Sequence, residues 1–405
     1  MDRTIEQYKN FKELSDNVHE IINQVIEKGD DALIECTRKF DGVTLEKKEI
    51  EIKKEEWKGL IKQIDEDLYN AISGAFENIN TYSKNQLKLY KDSKYSKEGI
   101  EITDKFIPVE KVGLYVPGGR FSYPSSVLMS AVPARVAGVD EIFMVTPPGK
   151  LTPSVLAAAE IAGVDGIFRV GGVQAIAALA TGSSRIPKVD KIVGPGNDYV
   201  QCAKQILSSV VGIDIMAGPS EVVIIADGFQ NPEFIKADLL AQAEHSDNAA
   251  GILISESGDI MEKVSFNDNE KIKERIKKIK VDNIIQAADV SNTIAPEHLQ
   301  IMVKKEKERE IQKKIKNAGA VFINKNTPVA VGDYWAGPSH TLPTGGAAKY
   351  QEGLNVRNFL KRVSFIECTK SGITKAAPYV AKLAEAEGMI YHKESILKRL
   401  KNEKK

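Results

Sequence analysis

Five histidines, His19, His245, His298, His340 and His392, are the whole imidazole supply of this 405-residue chain, and Cys36, Cys202 and Cys368 its whole thiol supply. Any imidazole chemistry must come from that short set. The cysteines lie far apart without a CxxC, which disfavours a thiolate zinc site and a disulfide framework alike. Gln242-Ala243-Glu244-His245 ends an expected helix with Asn231 as N-cap and Pro232 as its first helical residue. Gln242 and His245 share a helix face. A side-chain oxygen and an imidazole so placed suit one metal ion, and equally suit a satisfied helix end. Ala295-Pro296-Glu297-His298-Leu299 sets an acid beside an imidazole. Read as a helix start, it points them about 100° apart, so they would serve two atoms of one substrate rather than each other; a plain polar helix start is the other reading. Gly332 to His340, continuing to Pro343-Thr344-Gly345-Gly346, is a loop stiffened by Gly, Pro and aromatics that carries Asp333 and His340.

Three glycine-rich turns have a different use. Val116-Pro117-Gly118-Gly119, Gly171-Gly172-Val173-Gln174 and Gly194-Pro195-Gly196-Asn197 each follow an expected strand and precede an expected helix. That places backbone N–H groups and helix N-termini at the carboxyl edge of a parallel sheet, where anions bind. No GxGxxG is present, and tight turns with no ligand have the same spacing.

The elements that must hold these residues are readable from texture. The first hundred or so residues are charged and helical in pattern, with Val18, Ile21, Ile22, Val25 and Ile26 at helical spacing. From Lys105 to Ser255 short β-branched runs (111–116, 141–146, 166–170, 190–194, 221–226, 251–255) alternate with Ala-rich helical runs, which implies βαβ units around parallel sheets. Val-Asp-x-Ile recurs at 139–142, 164–167 and 189–192, intervals of 25 residues, with a weaker echo at Ile213-Asp214-Ile215; the spacing suits one βα unit. Helices are expected near 268–280 and 304–318, with Gly319 as a helix C′ residue before a strand at 320–324, and a helical tail from about residue 361. Lys+Arg and Asp+Glu both number 56, a balance that argues against a nucleic-acid binder and a polybasic anchor. The N-terminus shows no apolar leader and no run reaches the ~18 apolar residues of a membrane span. The expectation is a soluble, cytoplasmic chain without membrane contact.

Together, Tyr115 to Gly119, Tyr123-Pro124-Ser125-Ser126, Gly172 to Leu179, Gly194 to Asn197, Ala217-Gly218-Pro219-Ser220-Glu221, Gln242 to His245, Pro296 to Leu299, Gly332-Asp333-Tyr334 with Gly337 and His340, and Ala386-Glu387-Gly388 with His392 resemble the histidinol dehydrogenase family, in the family's order. The resemblance implies two incomplete Rossmann-like parallel-sheet domains in an intertwined homodimer with shared active sites. Its domains would be an N-terminal helical segment (1–22), a substrate and zinc domain (23–110 with 220–360), an NAD domain (111–219) and a tail (361–405) reaching the partner's site. It implies one Zn2+ per subunit on Gln242, His245, Asp333 and His392, NAD contacts from Tyr115, Gln174 and Asn197, and substrate contacts from Ser220, His298 and Glu387 as well as the zinc ligands. His340 falls beside the site.

The implied reaction is the last step of histidine biosynthesis, a four-electron oxidation of L-histidinol through the aldehyde to L-histidine with two NAD+. His298 would take the alcohol proton, and Glu297 would activate the water that hydrates the aldehyde. No cysteine lies in these motifs, which disfavours a covalent thiohemiacetal. A relative oxidising another alcohol, a zinc hydrolase and an idle metabolite-binding protein are the alternatives; the glycine turns speak against the hydrolase and the full acid/base set against the binder.

Overall fold

The computed structural model describes residues 3–118, 122–215, 218–266 and 270–401. Gly119 and Ala217 of the motifs above, and the start of the helix expected at 268, lie outside them.

The chain divides into two compact units, residues 1–86 with 109–359 and residues 87–108 with 360–405. The first contains two parallel sheets. One orders its strands Glu51–Ile52, Gly166–Phe168, Glu141–Val145, Lys111–Tyr115, Lys191–Val193 and Gly212–Ile213; only Glu51–Ile52 runs antiparallel. The other orders Ile276–Lys280, Ala250–Ser255, Glu221–Ala226, His298–Met302 and Ala320–Ile323, all parallel. In both, the first parallel strand in sequence lies centrally, and the order reverses beside it. Such a switch point opens a crevice at the carboxyl edge.

Period-two burial explains the second sheet. Val222, Ile224 and Ala226 face one core with Ile235 and Leu239, while Val223 and Ile225 face the other with Ile284, Ala287 and Ala288. Each fully buried aliphatic side chain contributes about 1.5–3 kcal/mol.

The 25-residue repeat has a structural purpose. The Asp165 carboxylate accepts the Ile142 N–H at 2.8 Å, and that of Asp190 accepts the N–H groups of Glu110 and Lys111 at 3.1 and 2.9 Å. Each aspartate, placed just before its own strand, pins the start of the neighbouring one.

Packing departs from the sequence in several places. Val18, Ile22, Val25, Leu33 and Ile50 join the core of the first sheet, although residues 23–110 were expected with the second. Residues 276–280 form a strand rather than helix: Ile276 is buried on the sheet, and the lysines between protect an exposed edge. Gly319 is not a helix C′ residue, because the helix Lys305–Lys314 ends at an extended Ile315. Its missing side chain instead allows close approach, since a Cβ there would stand 2.6 Å from the Glu297 carbonyl oxygen. The tail is not all helix. Strand Leu360–Cys368 pairs antiparallel with Ile100–Pro108, which also pairs with Ser93–Lys97, before helices Lys370–Ala386 and Ile390–Lys401.

Candidate active site

Glu297 and His298 do not start a helix. The helix Ile284–Ile294 ends on Ala295 in the left-handed conformation (φ 53°), Pro296 follows, and His298 opens a central strand flanked on both sides. The acid and imidazole therefore sit at the amino edge of the second sheet, against the rule that ligands collect at carboxyl edges. Ser220, just before the neighbouring central strand, meets them there.

A polar chain results that runs from Gln242 to Glu297 and stops just short of His298. Gln242 Nε2 donates to Ser220 Oγ at 2.5 Å, and Ser220 Oγ donates to Glu297 Oε2 at 2.5 Å. The Glu221 N–H donates to the same carboxylate oxygen at 3.0 Å. His298 Nδ1 stands 3.5 Å from Glu297 Oε2, and its Nε2 3.6 Å from Asp333 Oδ1. Both distances exceed a hydrogen bond, so the two ring nitrogens of this buried histidine are unpartnered. A buried imidazole with two unspent nitrogens between two carboxylates is poised to exchange protons with a third group.

Burial dominates the electrostatics here and is opposed by neighbours. It pushes the Glu297 carboxyl above its ordinary range, against the His298 ring, the Ser220 hydroxyl and the Glu221 N–H. It works to lower the His298 pKa, but Glu297 and Asp333 outweigh it and hold the ring above its ordinary value. Asp333 is held low despite its burial, chiefly by His298, then by His340 and His245. Two carboxyls pushed in opposite directions by one environment are the pattern of divided acid/base roles.

The helix Pro232–Ala243, capped by Asn231 with Pro232 in its first turn, brings Gln242 in and leaves the exposed His245 just beyond its end. His245 Nδ1 lies 3.1 Å from the Ala241 carbonyl oxygen; with that nitrogen donating, Nε2 is the free one. The helix Val329–Tyr334 carries Asp333. His340 Nδ1 lies 3.0 Å from the Asp333 carbonyl oxygen and Nε2 3.3 Å from Ser126 Oγ. This gives His340, left beside the site by sequence, a role as a strut behind Asp333. Glu387 and His392 are exposed in the second unit, one capping helix Lys370–Ala386 and the other on helix Ile390–Lys401.

The other expected residues gather at the carboxyl edge of the first sheet. Tyr115 ends a central strand, and its hydroxyl accepts the Gly172 N–H at 3.2 Å; its pKa is pushed up to about 12, mainly by burial. Gln174 is buried on the helix Gly172–Thr181, and Asn197 caps the helix Asp198–Leu207 through its Oδ1. All three line a cavity of about 990 Å3. The sequence reading missed its opposite wall, where Glu20, Gln24, Cys36 and Asp41 come from the two N-terminal helices. It noticed Asp214 only as an echo of the repeat and missed its buried ion pair with Lys204, on the helix that Asn197 caps. One signal was available: Val200, Ala203, Lys204 and Leu207 form a buried stripe at helical spacing, and a lysine in such a stripe needs an anion.

Gln242, His245 and Asp333 offer the nitrogen and oxygen ligands that zinc accepts, His245 with a free Nε2 and Asp333 kept ionised. Among the described residues no three His, Cys, Asp or Glu side chains converge on one point, so the set within this unit is short of a full shell.

Two Rossmann-like sheets, a cavity at the switch point of one and a buried acid–imidazole pair on the other suit an α/β enzyme, and the family match makes its class that of the NAD-dependent dehydrogenases. Residues 5–400 match the sequence pattern of the histidinol dehydrogenase family, to which the chain belongs. It is 44% identical to the histidinol dehydrogenase of Methanocaldococcus jannaschii over 97% of this chain and 94% of that one. Against that of Clostridium acetobutylicum the identity is 43%, over 98% and 94%. The crystal structure of histidinol dehydrogenase from Elizabethkingia anophelis superposes with a TM-score of 0.89 at 35% identity, covering 96% of this chain and 92% of that one. Among the described residues no helix is long and apolar enough to cross a membrane.

Proposed function

We propose that this chain oxidises L-histidinol through L-histidinaldehyde to L-histidine with NAD+, closing histidine biosynthesis. The observation that carries this reading is the buried His298 ring standing between Asp333 and the hydrogen-bonded chain Gln242–Ser220–Glu297, with both its nitrogens unspent. Tyr115, Gln174 and Asn197 bind NAD+ at the cavity they line. Gln242, His245 and Asp333 would hold one zinc per subunit, with the partner's His392 completing the set. The metal would supply a Lewis-acidic centre that orients the substrate.

The protein's own groups do the rest. His298 takes the hydroxyl proton as the carbon gives its hydride to NAD+. Glu297, with its raised pKa, takes a proton from the water that adds to the aldehyde. His298, having released its first proton, takes one from the hydrate as the second hydride leaves to a second NAD+. Ser220 and Glu387 hold the substrate, Glu387 from the partner's tail.

A homodimer agrees with the second unit's surface, where Ile366, Tyr379, Leu383, Ile390 and Tyr391 are all more than 60% exposed. Apolar groups gathered at that density mark a protein–protein surface. The cysteines, all free, agree with a reducing cytoplasm.

Two measurements test the reading. With zinc, excess NAD+ and limiting histidinol, two NADH form per histidinol consumed; no NADH at all would sink it, and one would remove the second oxidation. For the shared site, His245→Asn and His392→Asn are each inactive alone, and mixing them under subunit exchange restores part of the activity. Mixed samples as inactive as their parents would place the site within one chain.

A further inference from the structure

Lys204 and Asp214 are ionisable, buried and unused by the chemistry above. Their side chains are 0% and 1% exposed and form an ion pair. Lys191, a third charge that interacts with both, donates its hydrogen bond elsewhere, to the Asn358 carbonyl at 2.7 Å. A buried pair of this kind is poor evidence for stability, because desolvation offsets most of the attraction. Its partners show another use. Asp214 Oδ2 accepts the Gly194 N–H at 2.7 Å, and Lys204 Nζ donates to the Gly194 carbonyl at 3.0 Å and more weakly to that of Ile215 at 3.4 Å. Both backbone groups of one glycine are thus gripped by the two members of one ion pair.

That glycine opens the Gly194–Asn197 turn. Its φ is +119°, and a Cβ there would lie 2.2 Å from the Tyr115 carbonyl oxygen, so the turn is drawn onto the end of the Tyr115 strand. Gly196 lies against the Tyr115 ring, and Asn197 caps the helix that carries Lys204. Asp165 and Asp190 precede their strands and pin amino edges, whereas Asp214 follows the strand Gly212–Ile213 and reaches the carboxyl edge instead.

We propose that Lys204 and Asp214 are positioning residues for the dinucleotide: together they lock Gly194, and through it hold Asn197 and the Tyr115 ring in binding geometry before the cofactor arrives. The proposal rests on the reading of the 990 Å3 cavity as the NAD+ site. Charges do here what a neutral pair would do loosely, because in a dry interior each hydrogen bond to an ionised group is stronger and more directional.

The test is Lys204→Met/Asp214→Asn, which removes both charges, keeps an acceptor for the Gly194 N–H and leaves the Gly194 carbonyl ungripped. The KM for NAD+, and its Kd from NADH fluorescence, are expected to rise about ten-fold, a loss of pre-organisation, while kcat at saturating NAD+ and the KM for histidinol stay within about two-fold. An unchanged NAD+ affinity in the folded double variant overturns the proposal, and so does a joint fall of kcat and both affinities, which marks a structural role alone. Should the variant not fold, amide exchange of the unaltered enzyme decides: Gly194 protected without NAD+ supports a preformed turn, and rapid exchange there overturns it. Absence of NAD+ binding in the unaltered enzyme would instead defeat the cofactor reading.

Discussion

Replacing His298 by asparagine is expected to lower turnover with histidinol about 10³-fold without loss of NAD+ or of the zinc that the proposed ligand set would hold. Asparagine fills similar space and keeps polar atoms at the head of the strand, but it has no basic nitrogen to take the substrate's proton. The loss falls on kcat, because a proton-transfer partner stabilises the transition state more than the bound substrate. Asp333 keeps its strut, since His340 holds its carbonyl oxygen independently of His298. Metal content measured by atomic absorption should therefore match that of the unaltered enzyme. A variant with full turnover would remove His298 as the base; one that had lost its zinc would assign it to holding the metal ligands.

The largest effect on stability is expected from Lys204→Met alone. It leaves Asp214 charged in a place with 1% exposure, deprived of its ion-pair partner and holding the Gly194 N–H, with Lys191 the cation that still acts on it. Breaking one half of a buried pair costs about 3–5 kcal/mol, a large share of the ~5–15 kcal/mol by which folded domains exceed their unfolded chains. Adding Asp214→Asn removes the stranded charge, so the double variant should be more stable than the single one, with the difference read as a shift in the urea unfolding midpoint. Equal midpoints for the two would mean that Asp214 finds another way to be neutralised.

Much of this molecule was legible because its signals are local. Hydrophobic alternation, the Val-Asp-x-Ile spacing and the Asn231-Pro232 cap announced the strands and helices of the parallel sheets, and the motifs of the resemblance named the residues that meet in the polar chain. What failed was long-range or balanced. Pro296-Glu297-His298 carries the polar, proline-led signature of a helix start, yet the buried run that follows must fill the centre of a sheet, and tertiary demand overrode the local signal. Residues 276–280, Ile-Lys-Lys-Ile-Lys, lack the period-two alternation of a strand, and their lysines read as a solvated helix. The partnership of residues 87–108 with the tail leaves no mark in either segment alone, because strand partners are specified only by the whole fold. His340 was noticed without a role, since what it grips is a backbone carbonyl, which has no sequence signature.

The pairing of Ile100–Pro108 with Leu360–Cys368 also governs the order of events during synthesis. Its cross-strand partners Asp104 and Ser364 are 260 positions apart. At about 5–20 residues per second, a ribosome needs roughly ten seconds or more to make the intervening chain. Before it ends, every strand of both parallel sheets has been made, the last of them Ala320–Ile323, while Leu360–Cys368 is still to come. Ile100–Pro108 meanwhile waits with only the short Lys-bearing Ser93–Lys97 strand beside it. The second unit is therefore the last to assemble. If its tail supplies Glu387 and His392 to a partner, activity becomes a property of finished chains alone, and a prematurely ended one holds a folded dinucleotide cavity that can do no chemistry.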